Sequence, residues 1–102
     1  MYTKTYILEK LRELKPLIGK NYGVSELALF GSYAKGDQYE ESDIDVLVDF
    51  ERKIDAFDFI RLAHMLEDVF QHKIDLVSRK GVKPSYMPFV EKTMIHVEKV
   101  EK

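Results

Sequence analysis

Cysteine is absent from this 102-residue chain, so it can carry neither a disulfide framework nor a thiolate metal site. Any metal it holds must sit on oxygen or imidazole ligands. No apolar run approaches the roughly 20 residues of a membrane span, and the amino-terminal stretch is amphipathic and charged, unlike a signal peptide. Internal repeats, low-complexity tracts and linkers are missing too. These absences lead to the expectation of one small domain over residues 1–102, in the cytoplasm, with a single core and no second lobe.

Positive charge is scarce in one place. Asp37, Glu40, Glu41, Asp43, Asp45, Asp49, Glu51, Asp55 and Asp58 supply nine of the eighteen acidic residues, opposed within that stretch only by Arg52 and Lys53. The overall net charge of -2 hides this concentration. Such a patch repels phosphates unless divalent cations intervene, so direct DNA binding is not expected and a cation site is.

Hydrophobic periodicity gives the elements. Ile7, Leu11, Leu14 and Ile18 recur at helical spacing from about Thr3 to Lys20, ending near Gly19 to Gly23. Leu27 to Phe30 suits a short buried strand bounded by Gly31, and Ser32 opens a turn into a short helix. Between Ile44 and Phe50 one face carries Ile44, Val46, Val48 and Phe50, and the other Asp43, Asp45, Leu47 and Asp49, which predicts a half-buried strand with an acidic edge. Asp55 caps a helix striped by Phe59, Leu62, Ala63, Leu66, Val69 and Phe70, and Ile74 to Val77 forms a third strand. After a turn at Gly81 and Pro84, Met87, Val90, Met94 and Val97 mark a last helix with a frayed, charged end. The expected fold is α/β (α+β), in the order α-β-α-β-α-β-α.

The second strand, its helix and the third strand form a βαβ unit, so those strands run parallel through a right-handed crossover. Asp43, Asp45 and Asp75 then lie at one end of the sheet. Gly31 and Ser32 join them only if the first strand runs antiparallel to the second, which predicts a mixed three-stranded sheet covered by helices. Carboxylates at i and i+2, with a third on the neighbouring strand, suit Mg²⁺, which prefers oxygen ligands and keeps water or phosphate oxygens in its shell. A Gly-Ser turn complements them, because glycine lets the backbone approach a ligand and the hydroxyl can hold a phosphate.

Gly31-Ser32, ten intervening residues, then Asp43-Ile44-Asp45 resembles the G-S-x10-D-x-D motif of the DNA polymerase beta-like nucleotidyltransferase superfamily, with Asp75 in "KIDLV" where that family places its third carboxylate. "GSYAKG" and "SDIDVLVDF" look most like the minimal nucleotidyltransferases, the MntA-type partners of HEPN proteins. The resemblance implies a palm-like fold and transfer of AMP from ATP to a hydroxyl, with pyrophosphate leaving. Asp43, Asp45 and Asp75 would be the catalytic, metal-binding residues for two Mg²⁺ ions, with Mn²⁺ as a substitute. Gly31, Ser32, Lys35 and Ser42 would bind the nucleotide. Lys35 stands where relatives often carry Arg, which keeps a cation and loses bidentate contact.

With no acceptor-binding lobe in view, the acceptor surface is expected from a HEPN toxin, modified on a tyrosine, or from a second copy in a homodimer. Two readings stand beside this: a binding-only antitoxin that retains the fold, and a small-molecule nucleotidyltransferase. Each residue also has a plainer role open to it. A Gly-Ser pair is often only a turn, and Asp75 could pair with Lys73 or Arg79. His64, His72 and His96 have no metal-ligand spacing, and Tyr33 and Tyr39 more often pack than bind.

Overall fold

The apolar spacing of the first segment becomes helix α1 (Lys4–Tyr22), which buries Ile7, Leu11 and Ile18. Thr3 caps it by accepting the Tyr6 N–H at 3.1 Å, and Gly23 ends it in the left-handed region. A computed structural model of the chain describes residues 2–39 and 41–97. Glu40 of the acidic stretch and the charged end beyond Val97 lie outside the described residues. The remaining elements are β1 (Val24–Phe30), α2 (Gly31–Lys35), β2 (Ile44–Phe50), α3 (Ala56–Phe70), β3 (Ile74–Ser78), a 3-10 turn over Arg79–Gly81, α4 (Met87–Thr93) and β4 (Ile95–His96).

β1 runs antiparallel to β2, and β2 parallel to β3, as the βαβ argument requires. The expected three strands become four, in the order β3-β2-β1-β4. The stretch read as one last helix ends at Thr93, and Ile95 and His96 pair with Leu29 and Ala28. β1 is buried along most of its length, and a buried strand edge needs partners for its N–H and C=O groups. The returning chain supplies them, with the Val97 N–H donating to the Leu27 carbonyl at 2.8 Å. Apolar periodicity alone does not distinguish a helix from a short edge strand at that point.

The sheet is covered on both faces. Ile44, Val46 and Val48 join the main core with α1 and α3, whose Leu62, Leu66 and Phe70 are fully buried. On the other face Val90 of α4 packs over Ala28, Phe30 and Leu47. The alternation of β2 holds, with Ile44, Val46 and Val48 buried and Asp45 and Asp49 half-buried, except that Leu47 is sealed completely in the second core. Beyond that small second core the acidic face opens at the end where β1 finishes and β2 and β3 begin, and Asp49 is half-buried at the other end.

Candidate active site

Three sequence-distant residues meet through the ladder. Phe30 at the end of β1 lies directly opposite Asp45 on β2, and Asp45 lies beside Asp75 on β3. The chain leaves β1 through Gly31 with φ +78°, a conformation that glycine adopts without a Cβ penalty. A Cβ there would stand 2.0 Å from Asp45 Oδ2. The Asp45 carboxylate thus occupies the space that any other residue at position 31 would fill. The Gly31 N–H, itself buried, donates to Thr93 Oγ1 at 3.1 Å, which ties the turn to the end of α4.

Ser32 follows, half-buried, and lines an open depression with Tyr39, Glu41, Ser42, Asp43 and Asp45. Asp43 is half-buried and Asp75 exposed. Partial burial, the negative charges of Asp75 and Asp43, and a hydrogen bond with Asp75 together push the Asp45 carboxyl up to about 7. Such a cluster of acids resists ionising in the absence of a cation. Among the described residues no three His, Asp or Glu side chains form a ready-made metal cage. The donor set nonetheless fits Mg²⁺, which takes one or two carboxylates and completes its shell with water and substrate oxygens. The mutual repulsion of the acids points to the same cation.

Asp75 has no ion-pair partner among the described residues: Arg79, its alternative partner in the sequence, is instead bidentate to Glu26 at 2.6 and 2.7 Å, and His96 Nε2 lies 2.8 Å from the same carboxylate. Ser42 is buried, and its hydroxyl accepts the Tyr39 N–H at 3.0 Å while its own N–H donates back to the Tyr39 carbonyl at 2.9 Å. Its side chain closes the turn that leads into Asp43. Lys35 is not brought into the depression. Gly36 ends α2 in the left-handed region, and the next residue, Asp37, pairs with the exposed Lys35 ammonium at 3.3 Å.

Other residues act on the site with no local pattern to mark them. His72 Nε2 is 2.6 Å from the Ser42 carbonyl, so the residue before Asp43 is held from the far side, and the His72 ring stands edge-on to Tyr33 and Tyr2. Tyr33 itself is fully buried, whereas Tyr39 is exposed at the lip of the depression. Thr93 supports Gly31 from 62 positions away. An apolar concavity floored by Phe50, Ile54 and Phe59 lies at the opposite end of β2 from Asp43 and Asp45.

Known proteins resemble this chain over nearly its whole length. Residues 6–100 match the family described as the nucleotidyltransferase domain. The protein adenylyltransferase MntA of Thermococcus cleftensis is 34% identical over 97 residues, covering 95% of this chain and 98% of the relative. A solved structure described as a candidate minimal nucleotidyltransferase is 31% identical with TM-score 0.76, covering 92% of this chain and 95% of the other. The fold recurs at 20% identity and TM-score 0.70, over 96% of this chain and 74% of the other, in a complex of a tri-AMPylated Shewanella oneidensis HEPN toxin with its MNT antitoxin. A Gly-Ser turn set against an aspartate pair, within a match that spans nearly the whole sequence, identifies the chain as a member of the nucleotidyltransferase-domain family in its minimal form.

Proposed function

We propose that this nucleotidyltransferase moves AMP from ATP to a hydroxyl of a partner protein, a tyrosine of a HEPN toxin, and thereby acts as the antitoxin of the pair. The observation that carries the reading is the Asp45 carboxylate, seated in the space beside Gly31 that only glycine leaves free and repelled by Asp43 and Asp75. Support for the acceptor class comes from the Thermococcus relative, named as a protein adenylyltransferase, and from the Shewanella complex, whose toxin is AMPylated.

Asp43 and Asp45 would hold both Mg²⁺ ions, and Asp75 the one nearer the acceptor; when bound, the ions neutralise charge on the attacking and leaving oxygens. Gly31 leaves room for the Asp45 carboxylate beside the phosphate-holding turn, and the Ser32 hydroxyl donates to a β- or γ-phosphate oxygen. Ser42 contributes by fixing the turn before Asp43, and Lys35 is left out of the phosphate contacts. The acceptor oxygen attacks the α-phosphorus and forms the new P–O bond while its proton passes to Asp75. The bond from the α-phosphorus to its bridging oxygen breaks, and pyrophosphate leaves with the electron pair. Positioning and charge compensation supply most of the acceleration.

Incubating the chain with its HEPN partner, Mg²⁺ and α-phosphate-labelled ATP tests this. Label should appear on the partner and vanish with Asp43→Ala and Asp45→Ala. Label persisting in both variants would sink the assigned site. A tight complex without any label would favour a binding-only antitoxin, and label confined to a small molecule would favour the remaining reading.

A further inference from the structure

Two aromatic rings stay in water on one side of the carboxylates. Tyr86 is 43% exposed and Phe89 42%, an unusual exposure for a pair of neighbouring rings. Their centroids lie 5.3 Å apart at a tilt of 41°. Phe89 in turn meets the buried Phe30 ring edge-on at 6.5 Å, and Phe30 is the cross-strand neighbour of Asp45. The helix that carries Phe89 is fixed in place, because its Val90 is buried against Ala28, Phe30 and Leu47 and its Thr93 holds Gly31. Tyr86 also walls a groove with Leu76 and Val77, the residues directly after Asp75. Partial burial, with the negative charges of Asp45 and Asp75, pushes the Tyr86 hydroxyl above its ordinary range, consistent with a ring that faces the site.

A nucleotide has two ends, and the proposed function puts its β- and γ-phosphates at Gly31 and Ser32. The wall on that side is polar, made of Ser32, Ser42 and Glu41, with Tyr39 at its lip. The aromatic pair lies outside that wall, joined to Asp45 through Phe30 and to the strand of Asp75 through the groove that Tyr86 shares with Leu76 and Val77. We propose that Tyr86 and Phe89 form the stacking platform for the purine base of the nucleotide whose phosphates sit at Gly31, Ser32 and the aspartates; the platform rests on the proposed function. Stacking accepts any base, since each has a π-face, and grows with ring area. A purine nucleotide should therefore bind more tightly than a pyrimidine one.

Calorimetry on the full chain with Mg²⁺ and three probes, ATP, CTP and inorganic triphosphate, tests the platform. ATP should bind more tightly than CTP or triphosphate. Tyr86→Leu and Phe89→Leu, which keep apolar bulk and remove the rings, should weaken ATP about 5- to 100-fold and leave triphosphate unchanged. Tyr86→Phe should retain ATP affinity. ATP affinity unchanged in both leucine variants would overturn the platform alone, as would a loss that follows Tyr39→Leu instead. Failure of the unaltered chain to bind either ATP or triphosphate would overturn the phosphate site, and with it both the platform and the proposed function.

Discussion

A Cβ at Gly31 would lie 2.0 Å from Asp45 Oδ2, so backbone and carboxylate occupy adjoining space with nothing between them. Gly31→Ala must move Asp45 or the turn, and it also strains a φ of +78°. Gly36 separates the two effects, because its φ is +83° and nothing lies within 4 Å of the point where a Cβ would stand. Gly36→Ala should cost about 1 kcal/mol of stability and keep nucleotidyl transfer. Gly31→Ala should cost roughly 1–3 kcal/mol and reduce transfer at least about 100-fold. Thermal unfolding and label transfer, measured on both variants, check the contrast.

Asp45 should make the metal-free protein weaker as pH rises. Its carboxyl titrates near 3.8 when unfolded and is raised to about 7 in the fold. Ionisation is thus opposed by folding, and stability present at low pH is lost as pH climbs from about 4 to about 7. Asp45→Asn should flatten that slope and, at pH 8 without metal, stabilise the protein by about 1–3 kcal/mol while abolishing transfer. Added Mg²⁺ should raise the melting temperature of the unaltered protein at pH 8 and leave Asp45→Asn unmoved. An Asp45→Asn protein less stable than its parent across this range would contradict the electrostatic account.

Much of this site is legible in the sequence because it is built from local spacings. Gly31-Ser32 sits at a strand end, and Asp43 and Asp45 alternate with core residues, so the same period of two makes both core and site. Asp75 requires only the additional inference that β2 and β3 run parallel. What lies beyond reach is fixed by long-range contact. Thr93 meets Gly31, His72 holds the Ser42 carbonyl, and Ile95 pairs with Leu29, each through tertiary packing with no sequence periodicity to mark it. The exposed pair of Lys35 with Asp37 at 3.3 Å is likewise not marked by the motif in which the lysine stands.

Thr93 should act on the site without touching a substrate. Its hydroxyl oxygen accepts the Gly31 N–H at 3.1 Å, and its proton is directed to the Phe89 or Val90 carbonyl at 3.1 or 3.3 Å. Thr93→Val preserves shape and leaves the Gly31 N–H without its partner, which costs about 1–3 kcal/mol for a buried donor. Transfer should fall because the Gly-Ser turn loosens, and Thr93→Ser should restore both stability and rate. A serine variant as poor as valine would show that the methyl group, and not the hydrogen bond, is what matters.

At the other end of the same sheet face, Glu26 should govern acid stability independently of catalysis. The Arg79 guanidinium hydrogen-bonds both its oxygens, and with His96 nearby the Glu26 carboxyl is lowered to about 2 from an ordinary 4.5, despite the opposing effect of burial. The contact ties β1 to the turn after β3, and through His96 to β4. Because the folded value is the lower one, this stabilisation is complete above about pH 4.5 and is lost as pH falls towards about 2. Glu26→Gln keeps the shape and removes the charge, so at neutral pH it should lower stability by about 1–3 kcal/mol. Below about pH 2 the two proteins should converge. Denaturant midpoints across that range check the prediction, and a constant gap between the proteins at every pH would assign the effect to packing instead of charge.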